Sequence, residues 1–339
     1  MSLAILQSPA KLRVEMNEEM KNAKEKVLDK LASGEYKEHF NGCICAEHDK
    51  GDILVATVDR YGFPLNTFLC MNCGLLRSDP YFDEKSLATF YNCEYDKIYR
   101  TTLPENTFFL QQLTQGNKIF SLISQLTSVH HKMKIMEIGC SMGGNLLPFA
   151  QMGCDVYGCD YNEIHIKKGQ KMGLNLFVGS YATLNNNSPY DVIIASHVIE
   201  HFLNPFNSLK EIFQLLKPGG LIYVVVPAVE DIPTSYNCDI FSWLQNAHVY
   251  NFSNRTLKNL IIACGGKVLW DNSKGILIAQ KVQEPSNILA TPREAYKIMK
   301  KLKMYERKKN MVLSISVFRK LIKMCLPYGV VRFIQMTKN

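Results

Sequence analysis

Residues 134–160 read KIMEIGCSMGGNLLPFAQMGCDVYGCD: a short apolar stretch, a glycine-rich turn, a helix-forming run, and a second apolar stretch that ends on an acid. That is the layout of a nucleoside-binding βαβ unit. Gly139 allows a sharp turn at the strand end, and Gly143 and Gly144 are expected to let backbone and helix approach a bound ligand. Asp160 follows Gly139 by 21 residues and is expected to accept hydrogen bonds from both ribose hydroxyls. A dinucleotide site prefers G-x-G-x-x-G. Here the run is Gly139-Cys140-Ser141-Met142-Gly143-Gly144, with Glu137 two residues ahead of it. The spacing favours S-adenosylmethionine (SAM) over NAD.

Further motifs follow in order: Tyr190–Phe202 (YDVIIASHVIEHF), then Leu216-Lys217-Pro218-Gly219-Gly220, then the apolar run Leu221–Val226. Together with Glu137–Gly144 and Gly158-Cys159-Asp160, these resemble the class I SAM-dependent methyltransferases over residues 131–283. The resemblance implies an α/β, doubly wound, Rossmann-like sheet of seven strands. Ser141 stands where the family's G-x-G-x-G usually has a glycine. Strands are expected at 134–139, 155–160, 175–179, 190–196, 221–226, 267–271 and 275–282. Helices are expected at 145–152, 163–172, 205–217 and 254–264. The domain organisation reads as a helical extension (1–38), a zinc-binding module (39–82), a helical linker and active-site cover (83–130), the methyltransferase domain (131–283) and a basic helical tail (284–339).

The 339 residues leave room for more than one module, and 47% hydrophobic with 21% charged residues is ordinary for a globular chain. No apolar run reaches the 18–20 or so residues that cross a bilayer. The N-terminal MSLAILQSPAKLRVEM lacks the basic start and apolar core of a signal peptide, so a cytoplasmic location is expected, with a membrane-peripheral one through the tail as a variant.

Eleven cysteines in such a chain point to thiols and metal ligands more than to disulfides. Cys43-x-Cys45 and Cys70-x-x-Cys73 are separated by 24 residues. Two close pairs on tight turns suit tetrahedral Zn²⁺, and Gly74 permits the second knuckle to turn. Four sulfurs leave no open coordination position, which assigns this metal to folding. The single residue inside the first pair leaves unrelated buried thiols as the alternative.

The segment Asp59–Arg100 (DRYGFPLNTFLCMNCGLLRSDPYFDEKSLATFYNCEYDKIYR) is similar to the N-terminal zinc-binding region of bacterial methyltransferases of nucleotide-sugar and polysaccharide pathways. That resemblance implies a cysteine-rich module and a tyrosine-bearing helix that cover the active site. Tyr91, Tyr95 and Tyr99 recur at i, i+4, i+8, one face of a helix, for core packing or substrate contact.

The class I resemblance places the amino-acid part of SAM at the first glycine turn, with Glu137, Gly139, Ser141 and Gly143. It places ribose at Asp160 and the adenine edge at Gly179-Ser180-Tyr181, with Tyr161 and Ser196 as further cofactor-binding candidates. Methyl transfer needs a nucleophile in line with the sulfonium methyl, and a hydroxyl nucleophile also needs a base or a metal. His197, Glu200 and His201 end the fourth strand's motif. His201 is the first candidate for general base, since its unperturbed pKa lies near neutrality, with Glu200 to orient it. The alternatives are bracing of the next helix or a bound divalent cation. Related O-methyltransferases acting on quinone precursors and on small-RNA 3′ ends carry E-x-x-E-H for such an ion. This chain has His197 at the first position, and His248 (NAHVYNF) is a further candidate ligand.

Residues 284–339 hold thirteen basic and three acidic residues within a chain of net charge +8. The interleaved charges read as amphipathic helices broken at Pro327. They either pack on their own domain or meet an anionic membrane surface or polyanion. No RNP-type signature favours nucleic acid as partner. The chain thus reads as a SAM-dependent methyltransferase with a structural Zn²⁺, acting on a sugar or sugar-bearing small molecule or glycan. The alternatives are a nucleic-acid methyltransferase and a non-catalytic SAM-binding scaffold.

Overall fold

The structure, a computed structural model, describes residues 6, 13–45, 51–99, 104–282, 284–285, 287 and 291–325, with backbone alone for residues 105 and 312–325. Helix α1 (Glu18–Ala32) is capped by Asn17, whose side chain accepts from the Met20 amide, and buries Ala23 and Val27. Strand β1 (Glu38–His39) pairs with β5 (Tyr81–Phe82). Between them lie β2 (Ile53–Val58), β3 (Pro64–Leu69) and β4 (Leu76–Ser78), an antiparallel meander. Helix α2 (Glu84–Phe90) runs through a π-helical turn, Tyr91–Tyr95, into α3 (Asp96–Tyr99).

Helix α4 (Glu105–Leu126) leads into the catalytic sheet. There β6 (Lys134–Ile138), α5 (Leu147–Gln151), β7 (Asp155–Asp160), α6 (Glu163–Lys171), β8 (Asn175–Val178), β9 (Tyr190–Ser196), α7 (Pro205–Gln214) and β10 (Leu216–Val225) alternate. Short helices α8 (Ile232–Ser235) and α9 (Ile240–Trp243), strand β11 (Tyr250–Asn251), α10 (Asn254–Ala263), β12 (Gly266–Asp271), β13 (Ile276–Lys281) and α11 (Pro292–Cys325) complete the order. Strands β12-β13-β10-β9-β6-β7-β8 form one seven-stranded sheet. From β10 to β8 the neighbours are parallel, and β13 is antiparallel to both β10 and β12. The strands expected at 155–160 and 190–196 form over those spans, and the others lie within a residue or so of expectation. Only Leu216–Gly220 departs. It joins β10, with Leu216 paired to Tyr190 and an irregular register before Leu221, so α7 stops at Gln214.

Strand order reverses at β6: the chain fills β7 and β8 on one side, then returns to β9 on the other. Ligands of open α/β sheets bind at the carboxyl ends beside such a reversal. The loop after β6 and the turn after β9 approach closely there. A Cβ on Gly139, whose φ is +70°, would lie 2.8 Å from Val198 Cγ2.

The expected partition into modules is crossed by the packing. Strand β11, from the catalytic half, pairs with β4 and completes the N-terminal meander as a four-stranded sheet, β11-β4-β3-β2. One apolar core joins Val55, Leu69 and Leu76 of that sheet, Phe241 and Trp243 of α9, and Ile298, Leu302 and Tyr305 of α11. Ile298 and Leu302 are fully buried, each contributing roughly 1.5–3 kcal/mol. Residues 292–309 of the tail thus pack on the protein itself. Pro327, the expected helix break, lies outside the described residues. Helix α4, expected as linker and cover, belongs to the catalytic fold: a Cβ on Gly116 would lie 2.7 Å from the Asn145 backbone. Of the segment expected as cover, α2–α3 carry Tyr91 and Tyr95 against His201. Among the described residues no helix is long and apolar enough to cross a membrane.

Candidate functional site

The turn after β6 carries the first group of expected residues. Glu137 is buried. Its Oε1 accepts from Asn145 Nδ2 at 2.6 Å, and its Oε2 has no hydrogen-bond partner. Burial pushes its carboxyl up to about 8. Asp160 ends β7 with Oδ2 accepting from the Ser141 amide at 2.9 Å and Oδ1 from the Asn162 amide at 2.8 Å. Asp160 is thereby pinned against the glycine turn. Ser141 adopts φ +51°, the left-handed conformation for which glycine is the usual residue, and its hydroxyl meets His165 Nδ1 at 2.8 Å. Gly143 and Gly144 are also required by the protein's own packing: added Cβ atoms would strike Leu174 at 2.7 Å and Gln112 of α4 at 2.6 Å.

At the adenine side, Ser180 caps the 3₁₀ turn Tyr181–Asn187 through the Ala182 amide, and Tyr181 donates to Glu211 Oε2 at 2.7 Å. Tyr161 is exposed and stacks at 6.4 Å on Tyr91 of the cover. Asn162 Nδ2 also donates to Asp96 of the cover. Ser196 ends β9 opposite Val225.

Beyond Ser196 the chain bends through His197, at φ +56°, into a 3₁₀ turn, Ile199–His201. Glu200 is 1% exposed, and neither of its oxygens accepts a hydrogen bond. The nearest partners are His197 Nδ1 at 3.5 Å and His201 Nε2 at 4.0 Å from Oε1. An uncompensated buried carboxylate costs several kcal/mol. His201 Nδ1 lies 2.8 Å from the Ala247 carbonyl and 2.8 Å from the Tyr91 hydroxyl. A carbonyl only accepts, so Nδ1 carries the proton and the Nε2 lone pair faces Glu200. His248 packs edge-on against His201, with ring centroids 4.9 Å apart. Ligand atoms of Glu200, His201 and His248 all lie within 4.8 Å of one another.

Burial pushes the His201 imidazole below its ordinary value, and His248 well below. Both are therefore neutral near pH 7, the form that binds metals or takes a proton. His197 has 58% of its side chain in solvent; burial opposes its charge, but the Glu200 carboxylate prevails and its pKa is raised.

The loop bearing His248 is held by the N-terminal sheet, which sequence reasoning did not foresee. Asp59 Oδ1 accepts from the Tyr61 and Phe63 amides, each at 2.8 Å, and its Oδ2 accepts from the Asn246 amide at 2.9 Å. Arg60 donates to Gln245, which contacts His248. The Tyr81 hydroxyl donates to the Asn246 carbonyl at 2.6 Å, and Ser78 Oγ to the His248 carbonyl at 2.9 Å. The Asp59-Arg60-Tyr61-Gly62 stretch reads as a turn in sequence, but nothing local identifies a partner 187 residues away.

The four expected zinc cysteines converge. Cys43 and Cys73 sulfurs are 3.4 Å apart, Cys45 and Cys70 3.7 Å, and all four lie within 4.8 Å. A tetrahedron with Zn–S bonds of about 2.3 Å has edges of about 3.8 Å. Asn72 Nδ2 points at Cys45 Sγ, 3.4 Å away, and Gly74, at φ +81°, makes the knuckle turn. The crowded sulfurs shift one another: Cys43 and Cys73 are pushed up while Cys45 and Cys70 are pulled down.

Residues 111–269 match a protein-family model described as a methyltransferase domain. Among curated proteins, the chain is similar to the ubiquinone biosynthesis O-methyltransferases of Roseobacter denitrificans (36% identical over 98 residues, 26% of this chain and 39% of that one) and Rickettsia canadensis (25% over 146 residues, 38% and 61%). The matched segments span about two-fifths to three-fifths of those relatives. Among solved structures, it resembles magnesium protoporphyrin IX methyltransferase of Synechocystis PCC 6803 with bound S-adenosylhomocysteine (14% identity, TM-score 0.45, covering 59% of this chain and 100% of that one). By this match residues 111–269 form a methyltransferase domain, and within it lie the glycine turn after β6 and Asp160 at the end of β7.

Proposed function

We propose that the chain is a SAM-dependent O-methyltransferase whose Glu200, His201 and His248, with His197 beside them, handle the acceptor hydroxyl. The observation that carries this is the buried Glu200 carboxylate, without a hydrogen bond, facing the lone pair of a neutral imidazole. Two acceptors 4.0 Å apart need a cation or a proton between them. Imidazole and carboxylate ligands suit Zn²⁺ or Mn²⁺ better than Mg²⁺. When bound, such an ion supplies Lewis acidity that lowers the hydroxyl pKa. Ala247 and Tyr91 fix the His201 tautomer, and the Asp59 turn holds the His248 loop. Alternatively His201 Nε2 takes the acceptor proton directly, with Glu200 stabilising the imidazolium.

SAM fits the turn at Gly139. Asp160, held against the turn by the Ser141 amide, is the acid proposed for the ribose hydroxyls, and Glu137 Oε2 and Asn145 Oδ1 lack donors of the kind the SAM ammonium provides. The Cys43, Cys45, Cys70 and Cys73 cluster holds a structural Zn²⁺ in this reading.

The acceptor class rests on two different supports. The O-methyltransferase names of the relatives favour a hydroxyl, phenolic in quinone precursors, but those matches cover only part of the chain. The likeness of Asp59–Arg100 to sugar-pathway methyltransferases favours a sugar-bearing acceptor under the tyrosine cover. Incubation with SAM and a panel of nucleotide sugars and catechols, with S-adenosylhomocysteine as readout, tests both. O-methylation is expected, falling on chelation and returning with Mn²⁺. Methylation of carbon or RNA alone would refute the reading. SAM binding without transfer to any acceptor would favour the scaffold alternative.

A further inference from the structure

Helix α11 has two faces of opposite character. The inner one buries Ala295, Ile298, Leu302 and Tyr305 and is tied down by Lys301 to Glu230 at 2.7 Å and Lys309 to Asp239 at 2.8 Å. The outer one follows the helical spacing 293, 296–297, 300, 303–304, 307–308, 311, and every one of these residues is exposed. Lys300, Lys303, Arg307 and Lys308 on it form no ion pair among the described residues. Tyr296, Met304 and Met311 stand between them at 60%, 41% and 58% exposure.

Helix α1 provides the contrast within the same chain. Its solvated face alternates Glu18, Glu19, Lys21, Glu25, Lys26 and Asp29, with a Glu18–Lys21 bridge at 2.6 Å. A face designed only for water mixes signs in this way. The α11 face carries one sign and exposes large apolar side chains, and the helix continues to Cys325 through the sequence VLSISVFRKLIKMC, which again interleaves cations with apolar residues.

We infer that the outer face of α11 docks on an anionic lipid surface, with the helix lying in the headgroup plane. Lys and Arg supply attraction to phosphate headgroups, acting within a Debye length of about 8–10 Å. Met304, Met311 and Tyr296 then enter the headgroup–acyl boundary, as the apolar side chains of interfacial helices do. A nucleic-acid backbone would use the cations but gain nothing from the methionines. Because α11 also packs against the Cys43–Cys73 sheet and the catalytic half, docking would bring the methyltransferase domain to the membrane.

Flotation of the full chain with vesicles decides the matter. Binding to vesicles of roughly one-third phosphatidylglycerol should exceed that to pure phosphatidylcholine by at least about tenfold at 0.1 M salt, and should collapse near about 0.5 M salt. The charge reversal K300E/K303E/R307E/K308E should lower binding about tenfold or more at an unchanged thermal midpoint. In M304W, tryptophan emission should shift to the blue on anionic vesicles and be quenched by brominated acyl chains. This second reading stands even if the quadruple variant misfolds. Equal affinity for neutral and anionic vesicles, binding to neither, or binding to single-stranded RNA but not to vesicles would each overturn the inference.

Discussion

Two clusters of side chains that could hold a metal lie among the described residues, and they differ in closure. The four cysteine sulfurs already stand near the edges of a zinc-sized tetrahedron, backed by Asn72 and a glycine knuckle. Glu200, His201 and His248 are looser, share a buried carboxylate with no donor, and lie at the carboxyl end of β9, where the sheet order opens a crevice. A closed set of ligands serves folding; an incomplete set beside a cofactor turn serves chemistry.

The largest expected effect separates the two. Glu200→Gln and His201→Ala should each lower turnover by about 100 to 10,000-fold, while metal analysis still finds the cysteine-bound zinc and calorimetry finds SAM affinity nearly intact. A variant that keeps full turnover, or loses its zinc as well, would break the distinction.

Next in size is the reverse experiment. Cys70→Ser with Cys73→Ser should reduce zinc from about one per chain to none and destabilise the protein by roughly 2–5 kcal/mol in urea, given the folding energy that structural zinc supplies. Because β4 pairs with β11 and Ser78 holds the His248 carbonyl, turnover should fall too. Full activity in the zinc-free variant would show the two clusters to be independent.

The smallest effect sharpens the link between them. Burial pushes Asp59 up to about 6, although three backbone amides oppose this. Its folded pKa exceeds its unfolded one, so its contribution to stability is complete below about pH 4 and is lost as pH rises through about 6. Asp59→Asn removes that titration but turns an amide towards the Asn246 N–H. Turnover should drop about tenfold with zinc retained. The stability gap between wild type and variant, measured by urea unfolding, should close as pH rises from 4 to 6 and then stay flat. A gap that widens would contradict the assignment.

The methyltransferase sheet was legible because its signals are local. Each apolar run has Gly, Asn or Pro within two residues of at least one end, and the turn, the acid and the helix lie within 27 residues of one another. The cysteine pairs were legible for the same reason, since each pair sits on one short turn. Residues whose roles depend on distant partners were not. Tyr91 appeared as one of a stripe, yet its hydroxyl lies 2.8 Å from His201 Nδ1. Asp59, Ser78 and Tyr81 gave no hint that they position residues 246–249. That Gly143 and Gly144 also make room for Leu174 and Gln112 was not legible, because those neighbours belong to other turns of the chain.

Helix α11 begins where the N-terminal sheet is finished. Thr291 donates through its amide to the Asn72 carbonyl at 2.8 Å and through its hydroxyl to the Cys73 carbonyl at 2.9 Å, and Gly74 has no room for a Cβ against Ala295, whose amide would stand 3.1 Å away. The knuckle thus waits for a segment more than 200 residues later, and for β11 in between. During synthesis the cysteine sheet exposes its β4 edge and one apolar face until β11 and α11 have emerged, so chaperones and cellular zinc meet an unfinished module first.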